Sequence, residues 1–473
     1  MPKLAYPLLV KISVCLVFLC LNLKAKPNLI FIMADDLGYG DLGCFGQKLI
    51  KTPRLDQMAK EGMKFTRFYS GSTVCAPSRS VLMTGQHMGH THVRGNAGGD
   101  MTRQSLRLND ITVAEKMRAS GYKTALIGKW GLGEEGQEGH PLKQGFDYFY
   151  GYLNQVHAHN FYPEFLWRND KKHMLNNVVK PVSDKARGGF IGGAATKKVE
   201  YSHDLFAKEA LKWIKENKKN SFFLYLPLTI PHANNEGTRM FGDGAEVPEY
   251  GIYEKESWSK QDKGQAAMIT RMDRDVGKIL DLLKELNIEE DTLVMFTSDN
   301  GPHNEAGHNP ELFTPAGPLR GMKRTLTEGG IRVPTLAWWP KTIQSNSVSN
   351  EPFYFGDLMA TVCEMAGTEI PKKNDSISLI PTLKGDLKGQ ELHKYLYWEF
   401  YERIFRQAVI MRDWKLIRSG MDNQRLELYD LSKDIHEDEN LAKIHPGIVQ
   451  RMLSYMEEAH EPHPNWPTPR QKK

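Results

Sequence analysis

The sequence predicts an α/β fold: a large, mixed, mostly parallel sheet sandwiched by helices, followed by a smaller C-terminal subdomain of antiparallel sheet plus helix. Three observations predict it. First, four apolar runs each lead into polar residues. Leu29-Ile30-Phe31-Ile32-Met33 leads into Asp35-Asp36, and Thr124-Ala125-Leu126-Ile127 into Gly128-Lys129-Trp130. Phe222-Phe223-Leu224-Tyr225-Leu226 leads towards Pro231-His232, and Leu293-Val294-Met295-Phe296 into Asp299-Asn300. Unbroken apolar runs of this length suit strands buried on both faces. Second, helical patterns lie between the runs, over residues 111–119, 203–217 and 265–286. The last places Met268, Met272, Val276, Ile279, Leu280 and Leu283 at helical spacing. Alternation of strand and helix builds a parallel sheet, whose ligands bind outside the carboxyl ends of the strands. Third, the texture changes after about residue 370. A turn-rich stretch, Pro371-Lys372-Lys373-Asn374-Asp375, precedes short strand candidates at 395–400, 407–411, 414–417 and 426–431. A helix is expected from residue 446 to about 459, then a loose tail over 462–473.

The 473 residues are ample for one large core or two domains, and 40% hydrophobic with 25% charged residues is ordinary for a globular chain. Residues 1–25 read as a secretory signal. Lys3 and Lys11 precede the apolar stretch 12–21, broken only by Ser13, and Ala25 suits a cleavage site. The stretch is short for a spanning helix. Cys20 raises a lipoprotein reading, but Leu19 before it is bulky for that processing. The protein is therefore expected to be exported, periplasmic or secreted, and free of membrane after cleavage. Residues 26–370 form the expected catalytic domain, and 371–473 the C-terminal subdomain. The net charge of +5 falls to +2 once Lys3, Lys11 and Lys24 leave with the signal, which argues against a nucleic-acid partner. Of five cysteines, Cys44, Cys75 and Cys363 remain, too few for a disulfide framework. Whether Cys44 and Cys363 pair is left open by the sequence.

The chemistry centres on Cys75-Ala76-Pro77-Ser78-Arg79, followed by Ser80-Val81-Leu82-Met83-Thr84-Gly85. Pro77 suits a first helical turn and Gly85 a helix stop, which sets Cys75 at the positive end of a helix dipole. Taken alone, Cys75 is a low-pKa thiol or a buried cysteine. Asp35 and Asp36 repel each other unless solvent or a cation compensates. With Asp299 and Asn300 they offer an all-oxygen set suited to Ca2+ or Mg2+, whereas no Cys/His spacing for zinc is present. Lone lysines such as Lys129 and Lys323 are ordinarily surface charges.

Cys-x-Pro-Ser-Arg followed by Thr-Gly resembles the motif of the sulfatase family, the formylglycine-dependent type I enzymes of the alkaline phosphatase superfamily. The other blocks follow in order, from about Pro27 to near residue 460. The resemblance implies an alkaline phosphatase-like fold and conversion of Cys75 to Cα-formylglycine by a formylglycine-generating or sulfatase-maturating enzyme. It implies metal ligands Asp35, Asp36, position 75, Asp299 and Asn300, with Ca2+ expected and Mg2+ an alternative. Arg79, Lys129 and Lys323 are expected to clamp the sulfate, and His232 to stand near the leaving oxygen. In the implied mechanism one hydroxyl of the hydrated aldehyde attacks sulfur. The alcohol leaves with a proton from His232 or Lys323, and the second hydroxyl expels sulfate.

One departure is visible. Many sulfatases read Gly-Lys-Trp-His, and this chain has Gly131 at the fourth place. His157 and His159 are candidates for the missing base, for substrate contacts, or for a solvated loop. Asn160, His303 and Arg94 are further candidate substrate contacts. Tyr150, Tyr152, Tyr162 and Trp167 line either a sugar subsite or the core. The expected substrate is a sulfated glycan. Alternatives are a phosphate or phosphonate monoester hydrolase of the same superfamily, or a non-catalytic glycan-binding homologue.

Overall fold

The computed structural model describes residues 26–96, 104–184, 190–421 and 425–470. The expected signal, with Cys15 and Cys20, lies outside the described residues. The main sheet comprises β1 (Asn28–Ala34), β2 (Met63–Phe65), β3 (Lys123–Lys129), β4 (Tyr148–Tyr152), β5 (Phe165–Arg168), β6 (Lys171–Met174), β7 (Phe222–Pro227), β8 (Thr292–Ser298), β9 (Thr335–Trp338) and β10 (Ser347–Ser349). Their order is β10-β2-β9-β8-β1-β7-β3-β4-β5-β6. The centre, β8-β1-β7-β3-β4, is parallel, and antiparallel pairs occur at β8-β9, β9-β2, β4-β5 and β5-β6. The four apolar runs of the sequence are thus four adjacent central strands.

Both faces of this sheet are covered, which is why the runs do not alternate with polar residues. In β1, Leu29, Phe31 and Met33 enter one apolar layer, while Ile30, Ile32 and Ala34 enter the other. Burying these side chains contributes on the order of 10 kcal/mol before chain entropy is counted. Helices α1 (Cys75–Thr84), α2 (Ser202–Asn217), α3 (Lys260–Glu285) and α4 (Leu358–Ala366) supply the covers. Val81, Leu82, Met359 and Val362 pack on one face, and Phe206, Ile214, Met272 and Leu283 on the other. Helix α3 starts five residues before the apolar pattern does. Ser259 caps it, accepting the Asp262 N–H at 3.1 Å. A polar first turn carries no periodicity to read.

The C-terminal sheet is β11 (Leu396–Phe400), β12 (Arg406–Met411), β13 (Trp414–Ser419) and β14 (Arg425–Asp430), all antiparallel neighbours in sequence order, with α5 (Pro446–Ala459) laid on it. Val449, Met452 and Met456 of α5 meet Tyr397, Val409, Leu416 and Leu428. The opposite face, with Leu396, Trp398 and Ile410, joins the apolar layer of the main sheet. Lys415 of β13 reaches Glu328 Oε1 at 2.8 Å and Glu437 Oε1 at 3.0 Å, all three side chains being fully buried. The described part of the tail expected to be loose, 462–470, is docked instead. Trp466 is buried against Tyr401 and Gly95, and one large ring is enough to hold so short a segment. Cys44, Cys75 and Cys363 are unpaired. Among the described residues, no helix is long and apolar enough to cross a membrane.

Candidate active site

Strand ends build the site. β1 runs into Asp35 and Asp36, β3 ends on Lys129, β7 leads to His232, and β8 runs into Asp299 and Asn300. Because these strands are adjacent and parallel, their carboxyl ends share one edge of the sheet. Asp36 adopts φ +63, the left-handed region that few non-glycine residues occupy. Helix α1 opens at this edge, and Ser78 Oγ donates to the Asp299 carbonyl at 2.6 Å, fixing the helix against β8.

Cys75 Sγ lies 3.5 Å from Asp35 Oδ1, and the residue is 2% exposed. Burial pushes its thiol well above the usual range in spite of nearby Lys129, so this sulfur is not a thiolate. Lys129 Nζ donates to Asp35 Oδ2 at 2.6 Å, and Lys323 Nζ to Asp36 Oδ2 at 2.7 Å. Lys323 Nζ also lies 3.1 Å from His232 Nε2, whose Nδ1 is 2.7 Å from the Ala233 carbonyl. Burial and Lys323 hold His232 well below its ordinary pKa. The imidazole is therefore neutral, with Nδ1–H donating to Ala233 and Nε2 accepting from Lys323. Burial works against the Lys323 ammonium, but Asp36 holds its pKa above the usual value. Burial raises Asp35 too, yet Lys129 and Arg79 together hold its carboxyl well below the usual range.

Arg79 sits differently from expectation. Its Nη2 and Nε bond Asp299 Oδ2 at 2.8 and 3.3 Å, Nη2 reaches Asp35 Oδ2 at 3.4 Å, and Nη1 donates to the Lys129 carbonyl at 2.5 Å. With no exposure, it holds the acids in place rather than facing an incoming anion.

The donor set fits a hard cation. Asp35, Asp36, Cys75 and His232 each place a donor atom within 4.8 Å of the others. Asn300 Nδ2 donates to Asp36 Oδ1 at 2.7 Å, while its buried Oδ1 has no hydrogen-bond partner among the described residues. Asp299 Oδ1 accepts the Asp36 N–H at 3.1 Å. Burial, then the charge of Asp35, pushes Asp299 up to about 7, the mark of a carboxylate short of compensating positive charge. Oxygen donors in this number suit Ca2+ or Mg2+.

The candidate substrate residues divide. His159 is at the site: its ring stacks on His232 at 4.8 Å, and its Nδ1 lies 3.0 Å from Glu236 Oε2. His303 is nearby, 6.0 Å from His232 between ring centroids, with Nε2 on the Pro231 carbonyl. His157 packs edge-on against Tyr152 and beside Phe165. Asn160 serves its own turn, Oδ1 accepting the Tyr162 N–H. Arg94 donates to Glu399, Thr91, Gly89 and Glu461, which engages all three guanidinium nitrogens. Tyr150, Tyr152, Tyr162 and Trp167 are buried in the core. Gly131 has φ +80, and a Cβ there would come within 2.6 Å of Gln155 Nε2. The place of the usual histidine is thus already filled. Sequence reading missed Glu236, Glu305 and Arg324. Each is defined by a pairing across the chain rather than by spacing within it.

The sulfatase family profile matches residues 27–368, and the profile for the C-terminal part of N-sulphoglucosamine sulphohydrolase matches residues 322–461. N-acetylgalactosamine-6-sulfatase of Mus musculus is 31% identical over 413 residues, 82% of this chain and 71% of that protein. Arylsulfatase D of Homo sapiens is 31% identical over 458 residues, 81% of this chain and 74% of that protein. The crystal structure of Ps i-CgsB in complex with k-i-k-neocarrahexaose superposes with a TM-score of 0.72 at 27% identity, covering 94% of this chain and 95% of that one.

Proposed function

The chain belongs to the sulfatase family of sulfuric ester hydrolases, and from that premise we propose that it removes sulfate from a sulfated saccharide, using formylglycine at position 75 and a divalent cation held by Asp35, Asp36, Asp299 and Asn300. One observation carries this reading. Cys75, three buried carboxylates, two lysines and His232, drawn from separate parts of the chain, meet in one cluster at the carboxyl edge of the sheet. The saccharide is supported by two similar proteins, an N-acetylgalactosamine-6-sulfatase and Ps i-CgsB in complex with k-i-k-neocarrahexaose. The leader over residues 1–25 supports export.

Formylglycine at position 75 would supply, as its hydrate, two hydroxyls: one nucleophilic towards sulfur and one with a proton to lose for sulfate release. The cation, when bound, supplies Lewis-acid charge stabilisation. The remaining work falls to side chains seen in the structure. Lys129 and Lys323 oppose the non-bridging oxygens of the ester, where its charge resides. Arg79 holds Asp299 and Asp35 in register. The leaving alcohol takes its proton directly from Lys323 Nζ, and neutral His232, accepting a hydrogen bond from that ammonium through Nε2, orients it. Glu236 and the stacked His159 fix the imidazole plane of His232.

The test uses protein expressed together with a maturating enzyme. Mass spectrometry of the peptide holding position 75 is expected to show the aldehyde. Sulfate release is expected from at least one member of a panel of N-acetylgalactosamine 6-sulfate, galactose 6-sulfate and p-nitrophenyl sulfate, to vanish with EDTA and to return with Ca2+ or Mg2+. Aldehyde-bearing, metal-loaded protein that cleaves p-nitrophenyl phosphate but none of these sulfates would refute the reading in favour of a phosphate ester.

A further inference from the structure

A second polar cluster stands beside Lys323, and the chemistry above makes no use of it. Arg324 adopts φ +70, a conformation that costs a non-glycine residue about 1–3 kcal/mol. Its backbone is pinned on both sides. Its N–H donates to the Thr73 carbonyl at 3.1 Å, two residues before Cys75, and its own carbonyl accepts from Arg406 at 3.1 Å. From there the guanidinium reaches Glu305 Oε1 at 2.8 Å and Glu402 Oε2 at 3.2 Å. Glu305 lies on the loop after β8, six residues beyond Asp299, and Glu402 on the turn between β11 and β12. The cluster thus joins three separate segments of the chain at the rim of the site.

Two features argue that this is more than structural bracing. The three side chains are 33%, 21% and 39% exposed, and ion pairs that wet contribute only about 0–1 kcal/mol, less than the backbone strain costs. Glu305 Oε2 is also buried without a hydrogen-bond partner among the described residues, an acceptor left unmet within electrostatic reach of Lys323. Guanidinium N–H groups and carboxylate oxygens set side by side match adjacent hydroxyls, which both accept and donate. Two carboxylates around one guanidinium repel a second anion.

We propose that Arg324, Glu305 and Glu402 form the subsite for the hydroxyls of the sugar ring that bears the scissile sulfate, a ring with no second charged substituent beside it. This rests on the saccharide sulfatase reading above. Glu402→Gln and Arg324→Ala test it, the first an exposed, nearly isosteric change that leaves folding intact. Each variant is compared with the wild type on p-nitrophenyl sulfate, which has no sugar hydroxyls, and on whichever of N-acetylgalactosamine 6-sulfate and galactose 6-sulfate the wild type cleaves faster. For the saccharide, kcat/KM is expected to fall roughly tenfold, mainly through KM, while the aryl sulfate changes less than about twofold. Equal losses on both substrates, or an unchanged saccharide KM in Glu402→Gln, would overturn the subsite alone. A wild type that cleaves the aryl sulfate but neither saccharide would overturn the saccharide reading and the subsite with it.

Discussion

Replacing Lys415 by methionine isolates the buried charge triad that ties β13 to the segment following Lys323. Methionine keeps the apolar stem and removes the ammonium. Glu328 then retains the Tyr69 hydroxyl at 2.9 Å and Arg332 at 3.2 Å. Glu437 retains only the Glu328 N–H at 2.8 Å and a distant Arg320 at 3.8 Å. Burial already raises the Glu437 pKa in the intact protein, with Lys415 opposing and Glu328 reinforcing the rise. Without Lys415 the carboxyl takes up a proton in the fold. A glutamate of ordinary pKa 4.5 is protonated at pH 7 at a cost of about 3.4 kcal/mol, from about 1.36 kcal/mol per pH unit. That is the ceiling, and the existing upward shift brings the expected loss to about 2–3 kcal/mol. Since the folded pKa lies above the unfolded one, the variant loses stability as pH rises past about 4.5, and at pH 5.5 the ceiling is only about 1.4 kcal/mol. Urea unfolding of wild type and Lys415→Met at pH 5.5 and 7.0 measures both. A loss below about 1 kcal/mol at pH 7, or the same loss at both pH values, would refute this reasoning and point to packing instead.

Two further changes probe the site's surroundings. Burial pushes the Asp41 carboxyl up to about 8, while Oδ2 accepts the Gly38 N–H at 2.8 Å. The folded chain keeps a proton that the unfolded chain releases near pH 4, so wild-type stability falls between about pH 4 and 8. Asp41→Asn preserves the acceptor and is expected to flatten that slope in scanning fluorimetry; parallel slopes would contradict the assignment. Gly131→His, which writes the usual family residue back, is expected to lose about 1–3 kcal/mol of stability without gain in kcat, because φ is +80 and Gln155 fills the space. Restored or improved turnover would show that Gln155 yields readily.

The central strands were legible because burial on both faces removes the need for alternation, as the opposite destinations of Phe31 and Ile32 show. The meeting of Asp35, Asp36, Asp299 and Asn300 was legible because parallel neighbours bring their own carboxyl ends to one edge. Arg94 and Asn160 had the same local look, polar and close to motifs. What separates them is a pairing with Glu399, 305 residues away, and a turn closed on Tyr162. Such pairings leave no spacing signal. The same holds for Arg79, whose charge is directed inward to Asp299, and for Trp466, whose burial depends on a groove made by distant segments.

The placement of β1 beside β8 also has a consequence in time. Asp36 belongs to the first strand made, while Asn300, which bonds it, is 264 residues later. At about 5–20 residues per second the ribosome needs roughly 13 to 50 s to span that gap. For most of it position 75, made 39 residues after Asp36 and later sealed from solvent, lies on a helix beside a half-built sheet. If position 75 is converted to formylglycine as proposed, the modifying enzyme races the arrival of β8, and faster synthesis or premature folding should enrich a buried, unconverted thiol.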